Sequence, residues 1–173
     1  LAIRIDDTRN QVNYNARKVN EEYPGKKILT LAYTEATSRP PERVMPDSNV
    51  MIMYCPYPPQ TMCQSHGLDC PKNSTGFEEL QGWIEKCPDN MYIFDYPRGY
   101  RVWYEPFGSF YAMVDKMNFY ATHGIRGIIQ CVVPTSFTDL FVFVQGQLFW
   151  NPDADVEKLI DEQSGIGMAK QDM

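Results

Sequence analysis

The sequence predicts an α/β fold of parallel β/α units, the C-terminal half of a TIM (β/α)8-type barrel. Three observations point there. Four short apolar runs of β character each end in polar or aromatic residues, helical patterns follow at least three of them, and strands alternate with helices along the chain. In such a fold the chemistry gathers at the C-terminal ends of the strands. Four strands are half of what a closed barrel needs, and a start at Leu1 without an initiator Met fits a half. The expected organisation is a partial barrel over residues 1–163 and a loose C-terminal tail over 164–173.

Each element has its own signal. Val12, Ala16, Val19 and Tyr23 recur at helical spacing, and Pro24-Gly25 ends that helix. Residues 26–33 form a short apolar run, as a strand covered on both faces should. Residues 34–49 carry three prolines and read as a loop with at most one short helical turn, leading into a second strand at 50–55. A long irregular loop over 56–74 precedes a helix at 76–86, striped by Phe77, Leu80, Trp83 and Ile84. The third strand is 91–96, followed by an aromatic loop at 97–108. The next helix, 109–122, carries Phe110, Met113, Val114, Met117 and Tyr120 on one stripe and closes at His123-Gly124. A fourth strand at 126–133 leads to an apolar helix at 137–150. Asn151-Pro152-Asp153 then caps a last helix through Val156, Leu159 and Ile160. Trp83 and Trp150 sit at helical core spacing and read as structural.

Composition sets limits on partners. The 173 residues are 43% hydrophobic, enough for one domain with a substantial core. A net charge of −6 and a pI near 4.9 disfavour a nucleic-acid partner, because phosphate binding needs clustered Lys and Arg. No apolar run approaches the roughly 18 residues of a membrane span, so no membrane partner is expected. Five cysteines leave at least one unpaired within the chain. Cys55 and Cys131 lie in apolar strand runs and read as buried free thiols. Cys63 and Cys70 flank His66 in the long loop, where a metal site and a loop-stapling disulfide are both open, the latter in an exported protein. The spacing is unlike paired zinc ligands, and neither a metal nor another cofactor is expected. Asn73-Ser74-Thr75 fits the N-glycosylation pattern, a short match common by chance.

Parallel strands expose one common end, which gathers Tyr33, Glu35, Tyr57, Asp95, Tyr96 and Gln130, with Tyr100, Trp103 and Glu105 from the aromatic loop. Rings stack on the apolar faces of sugars, and carboxylates move protons or stabilise an oxocarbenium ion. Asp95 reads equally as a catalytic carboxylate or as a cap on the turn before Pro97. Glu35 and Glu105 read first as solvated loop acids and second as the partner carboxylate. An aromatic share of 13% means that many rings are core, and Trp103 is the ring best placed as a ligand contact.

The runs Lys27-Ile-Leu-Thr-Leu-Ala-Tyr33, Cys55-Pro56, Asp69-Cys70-Pro71-Lys-Asn73, Tyr92-Ile-Phe-Asp-Tyr96, His123-Gly-Ile-Arg-Gly127 and Leu148-Phe-Trp-Asn-Pro-Asp-Ala-Asp-Val156 resemble a bacterial barrel family. That family is a domain of unknown function similar to α-glucuronidases and β-hexosaminidases. The resemblance runs from the helix at residue 9 to Glu162, and the Trp-Asn-Pro-Asp-Ala-Asp run is its most specific part. It implies that the chain supplies the last four strands of a (β/α)8 barrel in a secreted or periplasmic polysaccharide-handling protein. It also favours Tyr33, His66, Asp95 and Tyr96 as pocket residues. One departure stands out: Gln130 occupies a place where the family shows a carboxylate, and an amide cannot serve as acid or base. The resemblance therefore implies a glycoside-hydrolase-like domain acting on an oligosaccharide or polysaccharide containing uronic acid or an N-acetylated sugar. A non-catalytic carbohydrate-binding or structural module, or a fragment inactive alone, is the alternative. The missing N-terminal half, or a second copy of the chain closing a dimeric barrel, is the expected protein partner.

Overall fold

The computed structural model describes residues 5–56, 63–97, 109–131 and 138–164. The predicted alternation is present: α1 (Ile5–Glu22), β1 (Ile28–Ala32), α2 (Thr34–Thr37), β2 (Val50–Tyr54), α3 (Ser74–Lys86), β3 (Met91–Asp95), α4 (Phe110–Thr122), β4 (Ile125–Gln130), α5 (Thr138–Trp150) and α6 (Val156–Ser164). All neighbouring strands are parallel, in the order β1-β2-β3-β4. This is the architecture of half a β/α barrel.

The register separates the two faces of the sheet. Ala32, Tyr54 and Ile93 are cross-strand neighbours, as are Thr30, Ile52 and Met91, and Ile93 pairs with Ile128. Ala32, Val50, Ile52, Tyr54, Met91 and Ile93 are buried in one core with Leu80 and Trp83 of α3, Met113, Met117 and Tyr120 of α4, and Phe141, Val144 and Leu148 of α5. This is the helix-covered face. Side chains alternate along a strand, so Leu29, Leu31, Met51, Met53, Tyr92, Phe94 and Ile129 take the opposite, open face. There Leu29 and Leu31 on one edge strand are each 47% exposed, and Ile129 on the other is 50% exposed. Between Met91 and Tyr92 the pairing with β4 shifts by one residue. The shift sets Gly127 beside Tyr92, whose ring would lie 3.1 Å from a Cβ there.

Two expectations are corrected. The stripe that α1 turns inward is Arg9, Asn13 and Ala16, while Tyr23 is exposed. A buried Arg is tolerated because its guanidinium donates to Thr30 Oγ1 at 3.3 Å, Leu31 O at 3.2 Å and Thr37 O at 3.1 Å, and lies 4.8 Å from the Trp83 ring centroid. Asn13 likewise pins the loop before β2, donating to Met45 O at 2.7 Å and accepting from the Asp47 amide at 3.0 Å. The second correction concerns the tryptophans. Trp83 is fully buried and donates to Ser38 O at 2.6 Å, but Trp150 is 92% exposed. Because α5 is apolar on every side, spacing alone leaves its inward stripe open. Phe141, Val144 and Leu148 take it, which turns Val142, Phe149 and Trp150 outward.

Candidate functional site

The residue that follows each strand is Tyr33, Cys55, Tyr96 or Cys131. The ladder continues into this layer, with the Cys55 amide donating to Ala32 O at 2.9 Å and the Cys131 amide to Asp95 O at 3.0 Å. Alternation places all four on the open face. Their side chains interact: Tyr96 and Tyr33 are hydrogen-bonded, and Cys55 and Cys131 are close enough to act electrostatically on Tyr96. Burial, reinforced by Tyr33 and the two thiols, raises the Tyr96 phenol well above its ordinary range. The hydroxyl therefore stays protonated at physiological pH, a neutral group able both to donate and to accept. Burial also pushes the Cys55 thiol up to about 11, so it is neutral. Cys55 and Cys131 lie on strands separated by β3, about 9.6 Å at two strand spacings, too far for a disulfide.

The backbone beside this layer is unusual. Thr34, directly after Tyr33, has φ +61°, a conformation that a β-branched residue rarely adopts. It is held in place by Thr37, whose hydroxyl accepts from the Tyr33 amide at 3.1 Å and donates to the Tyr33 carbonyl. Strain of this kind clusters where a structure holds a residue in place for a purpose.

Asp95 is one residue away and on the other face. It pairs in register with Gln130 and is only 2% exposed, toward the helices. Its charge is felt by Lys116 and Tyr120 of α4. Lys116 is itself buried, and desolvation lowers its pKa while Asp95, Cys63 and Asp115 oppose that change. The ammonium donates to Gln64 Oε1, and the Gln64 amide donates to Pro56 O at 3.2 Å, so the cluster links β3, α4 and the β2–α3 loop. Asp95 Oδ1, Tyr120 Oη and Gln130 Nε2 are buried with no hydrogen-bond partner among the described residues. Asp95 and Gln130 thus belong together, beneath the rim rather than on the face of Tyr33 and Tyr96.

The β2–α3 loop is braced from inside by Asn73, which is fully buried. Its amide nitrogen donates to the carbonyls of Cys63 at 3.1 Å, His66 at 3.1 Å and Gly67 at 2.7 Å, while its oxygen accepts from the Cys63 amide. A side chain so occupied is closed to glycosylation in the folded chain. The loop docks on α4 through the Leu68 amide, 2.8 Å from Asp115 Oδ2, and through Gln64 and Lys116. Gly67 lies where a Cβ would meet Asp115 Oδ2 at 2.9 Å. His66 is half-buried on this loop, its Nδ1 3.4 Å from Cys70 Sγ. Cys63 and Cys70 are free thiols, as are Cys55 and Cys87. Among the described residues no group of three or more His, Cys, Asp or Glu could hold a metal ion.

Of the remaining candidates, Tyr57, Tyr100, Trp103 and Glu105 lie outside the described residues. Glu35 falls within α2, and its side chain lies outside what is described. Sequence reasoning set the segment from Cys55 to Tyr57 at the strand ends, but passed over Asn73 as a brace, Lys116 as a buried cation, and Cys131 as a member of the rim layer. A signal for Cys131 was present, since counting one residue past each strand gives all four rim positions.

A parallel β/α half-barrel carrying a tyrosine pair at its strand C-terminal ends defines the class of this protein. The chain belongs to the family described as a domain of unknown function (DUF4838), whose model matches residues 5–165. No curated protein and no solved structure matches it.

Proposed function

We propose that this domain handles carbohydrate, and that this half of the barrel recognises the sugar through Tyr33 and Tyr96. The observation that carries the reading is the hydrogen-bonded tyrosine pair at the strand ends on the open face, with the Tyr96 phenol kept neutral by burial and by Tyr33. A neutral phenol offers a ring face to sugar C–H groups and a hydroxyl to sugar oxygens. The backbone strain at Thr34, next to Tyr33, also supports a built site.

A glycoside hydrolase needs two carboxylates flanking the bond, about 5–5.5 Å apart for retention or about 6.5–9.5 Å for inversion. Asp95 faces α4 and Lys116, and its register neighbour is the amide Gln130. The geometry therefore favours recognition by this half. On this reading any acid and base come from outside the described residues, Glu105 included, or from the strands that complete the barrel. Those strands, from an N-terminal half or a second copy, are the proposed protein partner, and an extracytoplasmic site of action fits a polysaccharide ligand.

Titration calorimetry of the chain with neutral, uronic-acid-containing and N-acetylated oligosaccharides tests the reading. One class is expected to bind, with affinity reduced about tenfold in Tyr96→Phe, the cost of roughly one hydrogen bond to a ligand. Binding by no class, or equal affinity in the variant, would remove the rim from the account.

A further inference from the structure

The five thiols stand in different surroundings. Cys55 and Cys87 are buried, and desolvation raises both pKa values, so neither is reactive in the folded chain. Cys131 is half-buried beside Tyr96. Cys63 and Cys70 are half-buried on the β2–α3 loop: the Cys63 thiol lies 3.3 Å from the Ser65 hydroxyl, and the Cys70 thiol lies 3.4 Å from His66 Nδ1. The Cys70 contact brings a base to a thiol.

We propose that Cys70 is a nucleophilic thiol with His66 as its base, forming a modification site for small soft electrophiles. The sulfur lies within reach of an imidazole nitrogen, and the backbone of both residues is held in place. His66 is fixed at both ends of its peptide unit, its amide donating to Cys63 O at 3.4 Å and its carbonyl accepting from Asn73 at 3.1 Å. Cys70 is fixed by its amide on Gly67 O at 3.3 Å and by its carbonyl, which accepts from the Asn73 amide at 2.7 Å. One buried residue, Asn73, therefore braces both partners. The loop follows β2, so the thiol sits on the side where the strands end and where β/α proteins place their chemistry.

The reaction requires no oxidant. The proton leaves Cys70 Sγ for His66 Nδ1, and the sulfur lone pair attacks the electrophilic carbon. A sulfur–carbon bond forms while the carbon–leaving-group bond breaks, and the leaving group departs with its electron pair. The site is independent of the sugar reading, since it needs neither Tyr33 nor Tyr96.

The test uses the reduced 173-residue chain and iodoacetamide in limited amount at pH 7, with modification at each cysteine followed by peptide mass spectrometry. Cys70 is expected to react about tenfold or more faster than Cys63 and Cys131, a low value for base assistance. In His66→Gln that advantage is expected to vanish, whereas Cys63→Ser leaves the Cys70 rate unchanged. Near-UV circular dichroism confirms that each variant is folded. A Cys70 rate equal to that of Cys63, or one unaffected in folded His66→Gln, would overturn the proposal.

Discussion

Asp95 and Tyr96 are adjacent in sequence yet face opposite sides of the sheet, and the difference decides what each can do. Tyr96 joins Tyr33, Cys55 and Cys131 on the open face. Asp95 lies under the rim near Lys116, which in turn holds Gln64. A buried cation needs a counter-charge, so Asp95→Asn is expected to destabilise the fold by roughly 1–3 kcal/mol, less than the loss of a directly bonded ion pair. Urea unfolding checks this, and an unchanged midpoint would separate Asp95 from Lys116. Asn73 is the other residue with a large structural share. Replacing it with Ala takes one donor from three carbonyls, of which those of Cys63 and Gly67 keep a backbone donor, and the acceptor from the Cys63 amide, for an expected loss of about 2–4 kcal/mol in the same measurement. Neither role was legible from residue type. Asp95 read equally as catalyst or cap, and Asn73 read as a glycosylation pattern, because a sequence does not state which way a polar side chain turns.

At the scale of elements much more was legible. The four strands and the helices that follow them could be placed because a covered strand is short and apolar and a surface helix repeats every three to four residues. The signal failed in two places for opposite reasons. In α1 the inward stripe is partly polar, so apolar spacing pointed about one residue away from Arg9 and Asn13. In α5 nearly every position is apolar, so spacing could not choose a side, and Trp150 faces outward. Packing between elements also brings Glu79 of α3 under the loop after α2, where its carboxylate accepts from Ser38 Oγ at 3.2 Å and from Tyr54 Oη at 3.3 Å. Burial raises the Glu79 carboxyl above its ordinary value of 4.5, only partly opposed by Ser38, Tyr54 and Arg39, the last largely exposed. The folded chain then binds this proton more tightly than the unfolded chain. The penalty for ionised Glu79 is present in full above the raised value and disappears as the pH falls toward the ordinary one. Glu79→Gln is expected to remove that contribution, leaving stability measured by thermal melts less favoured by acidification in that window than in the parent chain. An identical pH profile would contradict it.

The whole molecule is a sheet with one covered face, one open face and two edge strands, β1 and β4, each paired on a single side among the described residues. Leu29, Leu31 and Ile129 lie half exposed near those edges. Parallel edges with apolar side chains favour further pairing, and four more parallel strands would close a barrel of eight. At high micromolar concentration the isolated chain is therefore expected to show the mass of a dimer by light scattering. Leu31→Lys should shift it to a monomer, and a parent chain monomeric throughout would point instead to closure by a different half.

On the proposed reading, the tyrosine pair on the open face recognises sugar. Thermal unfolding of the parent chain and of Tyr96→Phe, each with and without the panel of oligosaccharides, tests it most directly, because a ligand that binds only the folded state raises its melting temperature. A cooperative transition raised by one sugar class is expected in the parent, with most of that rise lost in Tyr96→Phe while the two ligand-free transitions stay close. No rise with any class, or an equal rise in both proteins, would contradict it.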